Sequence, residues 1–212
     1  MDTVFVAGAH GKTGRWIVEE LSQDGYNVHA LVRSEEQANT LSKLGAAPYI
    51  GDLSGTFSEG MKGAAAVICA VGAGASGDPE EVDHTGTIRL IEQSGLLRIP
   101  RFILISSIGT LNPDGMPAAL KPYLLAKRRA EKALEESLLN HTIIRPGELT
   151  DDPPKGLVLL DAADDKAVSR RISRQDVARA AVLALKHPQT EKTSFDLIEG
   201  HIPLEEALLT LG

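Results

Sequence analysis

Apolar residues along this chain fall into short β-branched runs, separated by stretches where they recur at helical spacing. Residues 3–7, Thr-Val-Phe-Val-Ala, form the first run and suit a buried parallel strand. From Thr13 onward, Trp16, Ile17, Val18 and Leu21 share one face, which predicts an amphipathic helix reaching Asp24-Gly25. The alternation continues, with strands predicted at 27–32, 47–50, 65–71, 101–106 and 142–145 and helices at 35–44, 56–61, 79–93 and 123–139. A late helix at 177–185 and a last strand at 194–198 follow. Repeated βα units predict an α/β fold, a doubly wound parallel sheet with helices on both faces. No composition break divides the chain, so residues 1–212 are read as one domain. Its substrate-side loops are expected at 108–121 and 146–160, the second carrying "DDPPKG" over the carboxyl edge of the sheet.

The connection after the first strand, "VAGAHGKTGRW", admits two chemistries. Gly11-Lys12-Thr13 matches the tail of a phosphate-wrapping P-loop, but that loop needs a glycine where Val6 stands. Gly8, Gly11 and Gly14, between a strand and a helix, instead match a dinucleotide turn. Gly8 permits the tight turn, Gly11 the approach of a pyrophosphate, and Gly14 close packing of helix on strand. The helix N-terminus then offers unpaired N–H groups to phosphate. The whole turn, His10, Lys12 and Thr13 included, is a candidate cofactor site. A merely flexible turn is the plainer alternative.

The second strand ends in "VRSEE". An acidic residue there would favour NAD; Arg33 followed by Ser34 favours NADP(H), since guanidinium and hydroxyl together clamp a phosphate. Lys12 and Arg15 add positive charge nearby, although Arg33 could instead pair with Glu35 or Glu36. After the third strand, Asp52 is placed to accept from an adenine amino group and Leu53 to pack on the ring; an ordinary turn accounts for Asp52 nearly as well.

A second constellation lies downstream. Tyr123 and Lys127 are four apart and share a helix face. The strand before them ends in Ser106-Ser107, where a nicotinamide would rest. An ammonium beside a phenol favours the phenolate, so Tyr123 can exchange a proton with a carbonyl or hydroxyl while a cofactor exchanges hydride. A serine hydroxyl would hold the substrate oxygen. Taken alone, Y-x-x-x-K is common on helix surfaces.

Composition trims the possibilities. The net charge of −7 argues against general nucleic-acid binding. The longest apolar stretches are far short of a membrane span, and the amino terminus lacks the pattern of a signal peptide. The single cysteine, Cys69, excludes an internal disulfide and suits a reducing cytoplasm, where it reads as a packed core thiol. The scattered histidines suggest no metal.

Together, "GAHGKTG", "VR", "GDL", "AVGAG", "VDHTGTIRLIE", "FILISSIG", "YLLAK", "TIIRPGEL" and "ISRQDVA" resemble the short-chain dehydrogenase/reductase superfamily, in its atypical single-domain NAD(P)H-binding branch. That branch is related to NmrA-like proteins and sugar epimerases. The resemblance implies a Rossmann-like fold, with Gly8, Gly11, Gly14, Arg33 and Asp52 in cofactor roles. Ala70, Val71 and Gly72 would line the adenosine ribose, and Arg145 and Pro146 would lie beside the nicotinamide amide. It implies Tyr123 as acid/base, Lys127 also holding the nicotinamide ribose, and Ser107, with Ser106 next, as the catalytic serine. His10 departs from the small or hydroxyl residue usual in relatives. The larger carboxyl-terminal region of nucleotide-sugar epimerases is also lacking, which makes that reaction a poor expectation. The resulting expectation is an NADP-dependent oxidoreductase of a small carbonyl, quinone or related substrate, acting as a monomer or homodimer. Two rivals stay open: a flavin or quinone reductase that does not need Tyr123, and an NADP(H)-holding redox sensor without turnover.

Overall fold

The computed structural model describes residues 2–74, 77–162 and 169–211. Its first half alternates as the pattern requires: β1 (Thr3–Ala7), α1 (Lys12–Gln23), β2 (Asn27–Val32), α2 (Glu35–Ser42), β3 (Ala47–Ile50) and β4 (Ala66–Cys69). Next come α3 (Thr87–Leu96), β5 (Arg101–Ile105), α4 (Lys121–Glu135) and β6 (Asn140–Pro146). The last part holds β7 (Glu148–Thr150), β8 (Leu157–Leu160), β9 (Arg171–Ser173), α5 (Arg174–Lys186), β10 (Thr193–Glu199), β11 (Ile202–Pro203) and α6 (Leu204–Leu209).

Nine strands form one sheet in the order β11-β8-β10-β6-β5-β4-β1-β2-β3. From β3 through β10 every pair is parallel. Successive strands run outward from β1 to β3, and the chain then crosses back to place β4 on the other side of β1. This reversal opens a crevice beyond the carboxyl ends of β1 and β4, the usual ligand position in such sheets. Val4–Ala7 pair in register with Ala66–Cys69, so Gly8 and Ala70 leave the sheet side by side.

Two apolar layers cover the faces. Ile17, Val18 and Leu21 of α1 meet Val177 and Ala181 of α5 on one side. Phe5, Phe102 and Leu104 meet Leu90 of α3 and Leu134 of α4 on the other. At the opposite end of the sheet from the crevice, the buried Arg101 donates to Asn140 O, Thr142 Oγ1, Ala184 O and Thr190 Oγ1. Burial pushes this guanidinium down to about 10.

Several elements differ from the expected pattern. The sheet is not wholly parallel, because β8 runs antiparallel to β10 and β11. The expected loop at 146–160 contains β7 and β8, and β7 pairs with β9 in a separate two-stranded sheet. Strands of two to four residues show little periodicity of their own, and β3 and β4, equally short, were legible through the βα alternation around them, which β7, β8 and β11 lack. The helix expected at 56–61 is a single 3₁₀ turn, Ser58–Met61. That at 79–93 begins as a π-helical segment, Glu80–Gly86, before α3 takes over. Such segments widen the turn and often mark functional sites. Of the glycine-rich run at 71–77, Ala75 and Ser76 lie outside the described residues.

Candidate functional site

The glycine turn is shaped by backbone contact. Gly8 has φ +77°, and a Cβ there would stand 2.5 Å from Ala70 O. A Cβ on Gly14 would run into the Gly8 carbonyl, so that glycine is required for packing. Gly11 differs. Its N–H donates to Gly8 O at 3.0 Å, and its φ of −63° would accept any residue. Only Gly8 O, at 3.1 Å, would meet its Cβ. A side chain at Gly11 would project instead into the space before α1. That helix starts without a side-chain cap or an acidic residue in its first turn, leaving the N–H groups around the buried Thr13 for an anion.

His10 and Lys12 go elsewhere than expected. The Arg15 guanidinium donates to His10 Nε2 at 2.6 Å and to His10 O at 3.0 Å. Partial burial and the Arg15 charge hold His10 below its ordinary value, so the ring is neutral and Nε2 accepts. Lys12 turns away to Asp151 at 3.1 Å, a carboxylate it shares with Arg174. It therefore does not add its charge at the Arg33 position, as the sequence suggested.

A cavity of about 410 Å³ opens beyond β1, β2 and β4. Gly8, His10 and Gly11 line it together with Arg33, Asp52, Leu53, Ala70, Val71 and Gly72. Its size lies within the range of small-molecule sites. Arg33 is exposed at its mouth, and the ion pairs among the described residues do not include it. Its backbone N–H donates to Gln37 Oε1 at 2.8 Å. Ser34 caps α2, its Oγ accepting from Gln37 N at 3.3 Å, which leaves the hydroxyl proton for a ligand. Asp52 Oδ1 accepts from Ser54 Oγ at 2.6 Å and Ser54 N at 2.8 Å. These bonds, with the nearby charges of Arg33 and Arg89, hold the carboxyl below its usual range. The turn uses one oxygen of Asp52, and the residue also lines the cavity wall. Gln37, Ser54 and Glu81 also line the cavity and were not read from the sequence. Gln37 had a signal, four residues beyond Arg33 on the same helix start.

The second constellation lies past the cavity's lining, at the ends of β5 and β6. Tyr123 is half-buried in the first turn of α4, with Lys127 Nζ 5.9 Å from its ring centroid. Lys127 is 2% exposed. Its ammonium donates to Val71 O at 2.8 Å and Ile105 O at 3.1 Å, and pairs with Asp83 Oδ1 at 3.1 Å. Of the three donors of an ammonium, two are hydrogen-bonded here, while Asp83 Oδ1 is a charge contact and is itself without a hydrogen bond. The expected contact of Lys127 to a nicotinamide ribose would have to use the donor outside these two hydrogen bonds. Burial works against the charge on Lys127, but Tyr123 and Asp83 outweigh it and raise the group above its ordinary value.

Ser106 and Arg145 depart further from expectation. Ser106 Oγ donates to Glu131 Oε1 at 2.5 Å, and Thr110 Oγ1 donates to the same oxygen at 2.9 Å. Arg145 grips Glu131 through Nε and Nη2, both at 3.1 Å, while Arg128 adds a bond at 3.0 Å. Ser106 and Arg145 thus close a buried network around a fully buried carboxylate and do not present their polar groups to a cofactor. Pro146 accepts from Ile108 N at 3.0 Å, which anchors the loop carrying Ser107. Ser107 is half-buried and its hydroxyl donates to Ile108 O at 3.1 Å. It is the serine of the pair outside the Glu131 network.

Asp83 and Glu131 were both missed, yet each left a trace. Asp83, Thr87, Leu90, Ile91 and Ser94 form one buried helical stripe. Leu124, Lys127, Glu131 and Leu134 form another. A carboxylate on an apolar stripe implies a buried partner. Among the described residues no cluster of three or more His, Cys, Asp or Glu is gathered to hold a metal, and no helix is long and apolar enough to cross a membrane.

Comparison with known proteins agrees with this geometry. Residues 8–188 match the model of a family described as NAD(P)H-binding. The chain is 39% identical over 216 residues to an uncharacterized sugar epimerase of Bacillus subtilis, covering 98% of this chain and 99% of that one. It is 30% identical to the sanguinarine reductase of Eschscholzia californica, covering 92% and 88% of the two chains. A solved structure from Bacillus halodurans, described as an NAD-dependent epimerase/dehydratase, superposes with a TM-score of 0.94 at 32% identity over 100% of both chains.

Proposed function

The chain belongs to the NAD(P)H-binding family of atypical short-chain dehydrogenases/reductases, and from that membership we propose that it is an NADP(H)-dependent oxidoreductase of a small carbonyl, quinone or related substrate. The observation that carries the proposal is a single cavity joining the uncapped start of α1, the open face of Gly11 and the exposed Arg33. The residues fit a dinucleotide. Gly8 and Gly11 leave the pyrophosphate its approach, α1 directs N–H groups toward it, and Arg33 with the Ser34 hydroxyl receives a ribose phosphate. When bound, the nicotinamide supplies or accepts hydride. Reduction of a carbonyl also needs one proton on oxygen, which the Tyr123 hydroxyl donates while the Ser107 hydroxyl holds that oxygen. The relative named as a reductase supports this reading.

The test is a screen that follows NADPH absorbance over aldehydes, quinones and flavins, repeated with Tyr123→Phe. The variant is expected to keep NADPH affinity and lose roughly 10²–10⁴-fold in turnover. Parental turnover in Tyr123→Phe would replace this reading with that of a flavin or quinone reductase. One feature favours a redox sensor instead: Lys127, Ser106 and Arg145 are all engaged internally. Tight NADPH binding without turnover of any screened compound would support the sensor.

A further inference from the structure

Lys127 sits where a charge is costly. It is 2% exposed, between the ends of β4 and β5, and the carbonyls of Val71 and Ile105 that accept from it carry no net charge to offset its own. Buried lysines without a counter-charge surrender their proton. Three side chains bear electrostatically on Lys127: Tyr123 from α4, Cys69 from β4 and Asp83 from the π-helical segment. Burial pushes the Cys69 thiol up, so it stays neutral. Asp83, fully buried, is the carboxylate among them. Its two oxygens divide their partners. Oδ1 pairs with Lys127 at 3.1 Å, and Oδ2 accepts from Ala73 N–H at 2.9 Å. Lys127 in turn holds Val71 O. The Asp83–Lys127 pair therefore grips residues 71 and 73 of the cofactor-lining loop and stands beside the Tyr123 ring.

We propose that Asp83 is a positioning residue: it holds Lys127 charged and in place beside Tyr123, and it ties that pair to the cofactor-lining loop at Ala73. The inference rests on the oxidoreductase reading only for its consequence, since its test needs neither substrate nor cofactor. Tyrosinate absorbance is followed during alkaline titration of the free protein, with Tyr123→Phe subtracting the signals of Tyr26 and Tyr49. Asp83→Asn keeps an acceptor for Ala73 N–H but removes the charge. Lys127→Met removes the cation. Both variants are expected to move Tyr123 ionisation to higher pH, by about one unit or more, and the double variant no further than Lys127→Met. Asp83→Glu should restore the parental titration. The proposal is overturned if Asp83→Asn leaves Tyr123 at the parental position or moves it to lower pH. If Asp83→Asn does not fold, the Cε resonance of Lys127 in the parent decides, assigned by its loss in Lys127→Met. Burial alone would lower the lysine, so an ammonium that persists beyond the ordinary lysine value of about 10.4 supports Asp83 as its counter-charge. A neutral amine at pH 7 refutes it. A failed substrate screen would leave all these titrations unchanged and count only against the oxidoreductase reading.

Discussion

The glycine turn between β1 and α1 and the α4 stripe carrying Tyr123 sit at neighbouring strand ends, yet they are built by opposite means. The turn works by leaving side chains out. Its walls are backbone, its charge is the partial charge of an uncapped helix, and a Cβ at Gly8 or Gly14 would strike main-chain atoms. The stripe works by burying full charges and setting opposite charges and hydrogen-bond partners around them. Lys127 has two carbonyl acceptors and the Asp83 charge, and Glu131 receives Ser106, Thr110, Arg128 and Arg145. The groups proposed to receive an anion therefore need no partner in the folded chain. Those beneath Tyr123 would destabilise the fold without one. Change at the open face of the turn, at Gly11, should cost ligand affinity, and change beneath the stripe should cost the fold.

The largest expected effect breaks the second half of that contrast. Glu131→Ala leaves the buried Arg145 only Glu135, 3.8 Å away, as counter-charge, and should destabilise by about 3–5 kcal/mol in denaturant unfolding. A loss within experimental error would mean that the network is ornamental. Gly11→Val attacks the first half, and NADPH affinity should fall by about a hundredfold, roughly 2.7 kcal/mol, with far-UV dichroism and the unfolding midpoint preserved. Gly14→Ala is the control that sharpens it. Its Cβ meets the Gly8 carbonyl, so it should lower stability by about 1–3 kcal/mol. If Gly11→Val behaves like Gly14→Ala, the turn is a packing device and not a cradle.

Smaller still is Arg33→Ala. NADPH should bind the parent more tightly than NADH by about 1.5–3 kcal/mol in calorimetry, and the variant should lose that preference. Equal affinities in the parent would remove NADP(H) as the assigned cofactor. Last comes Lys12→Ala. Its ammonium pairs with Asp151 at 3.1 Å, both groups largely exposed, so NADPH affinity and the unfolding midpoint should stay parental. A marked loss of NADPH affinity would show that Lys12 leaves Asp151 for the phosphate.

What could be read from the chain divides along the same line. The βα alternation, the glycine turn and the positions of Arg33 and Tyr123 were legible because each depends on neighbours within one or two turns of chain. Spacing along one helix put Tyr123 and Lys127 on the same face, and the structure puts the ammonium 5.9 Å from the ring centroid. What the chain could not declare was how the remaining valences close. Lys127 reaches Val71 across 56 positions, and Ser106 reaches Glu131 across 25. Such pairings are made when β4, β5 and β6 align their carboxyl ends under α4, a register set by the whole sheet. Desolvation then compels each buried charge to find a partner there. The sequence by itself determined that a glycine turn before a helix and a tyrosine–lysine pair exist. Only the tertiary structure decided which polar groups face the crevice, as Arg33 and Gln37 do, and which are drawn inward, as Ser106 and Arg145 are, because burial compels polar groups to find partners.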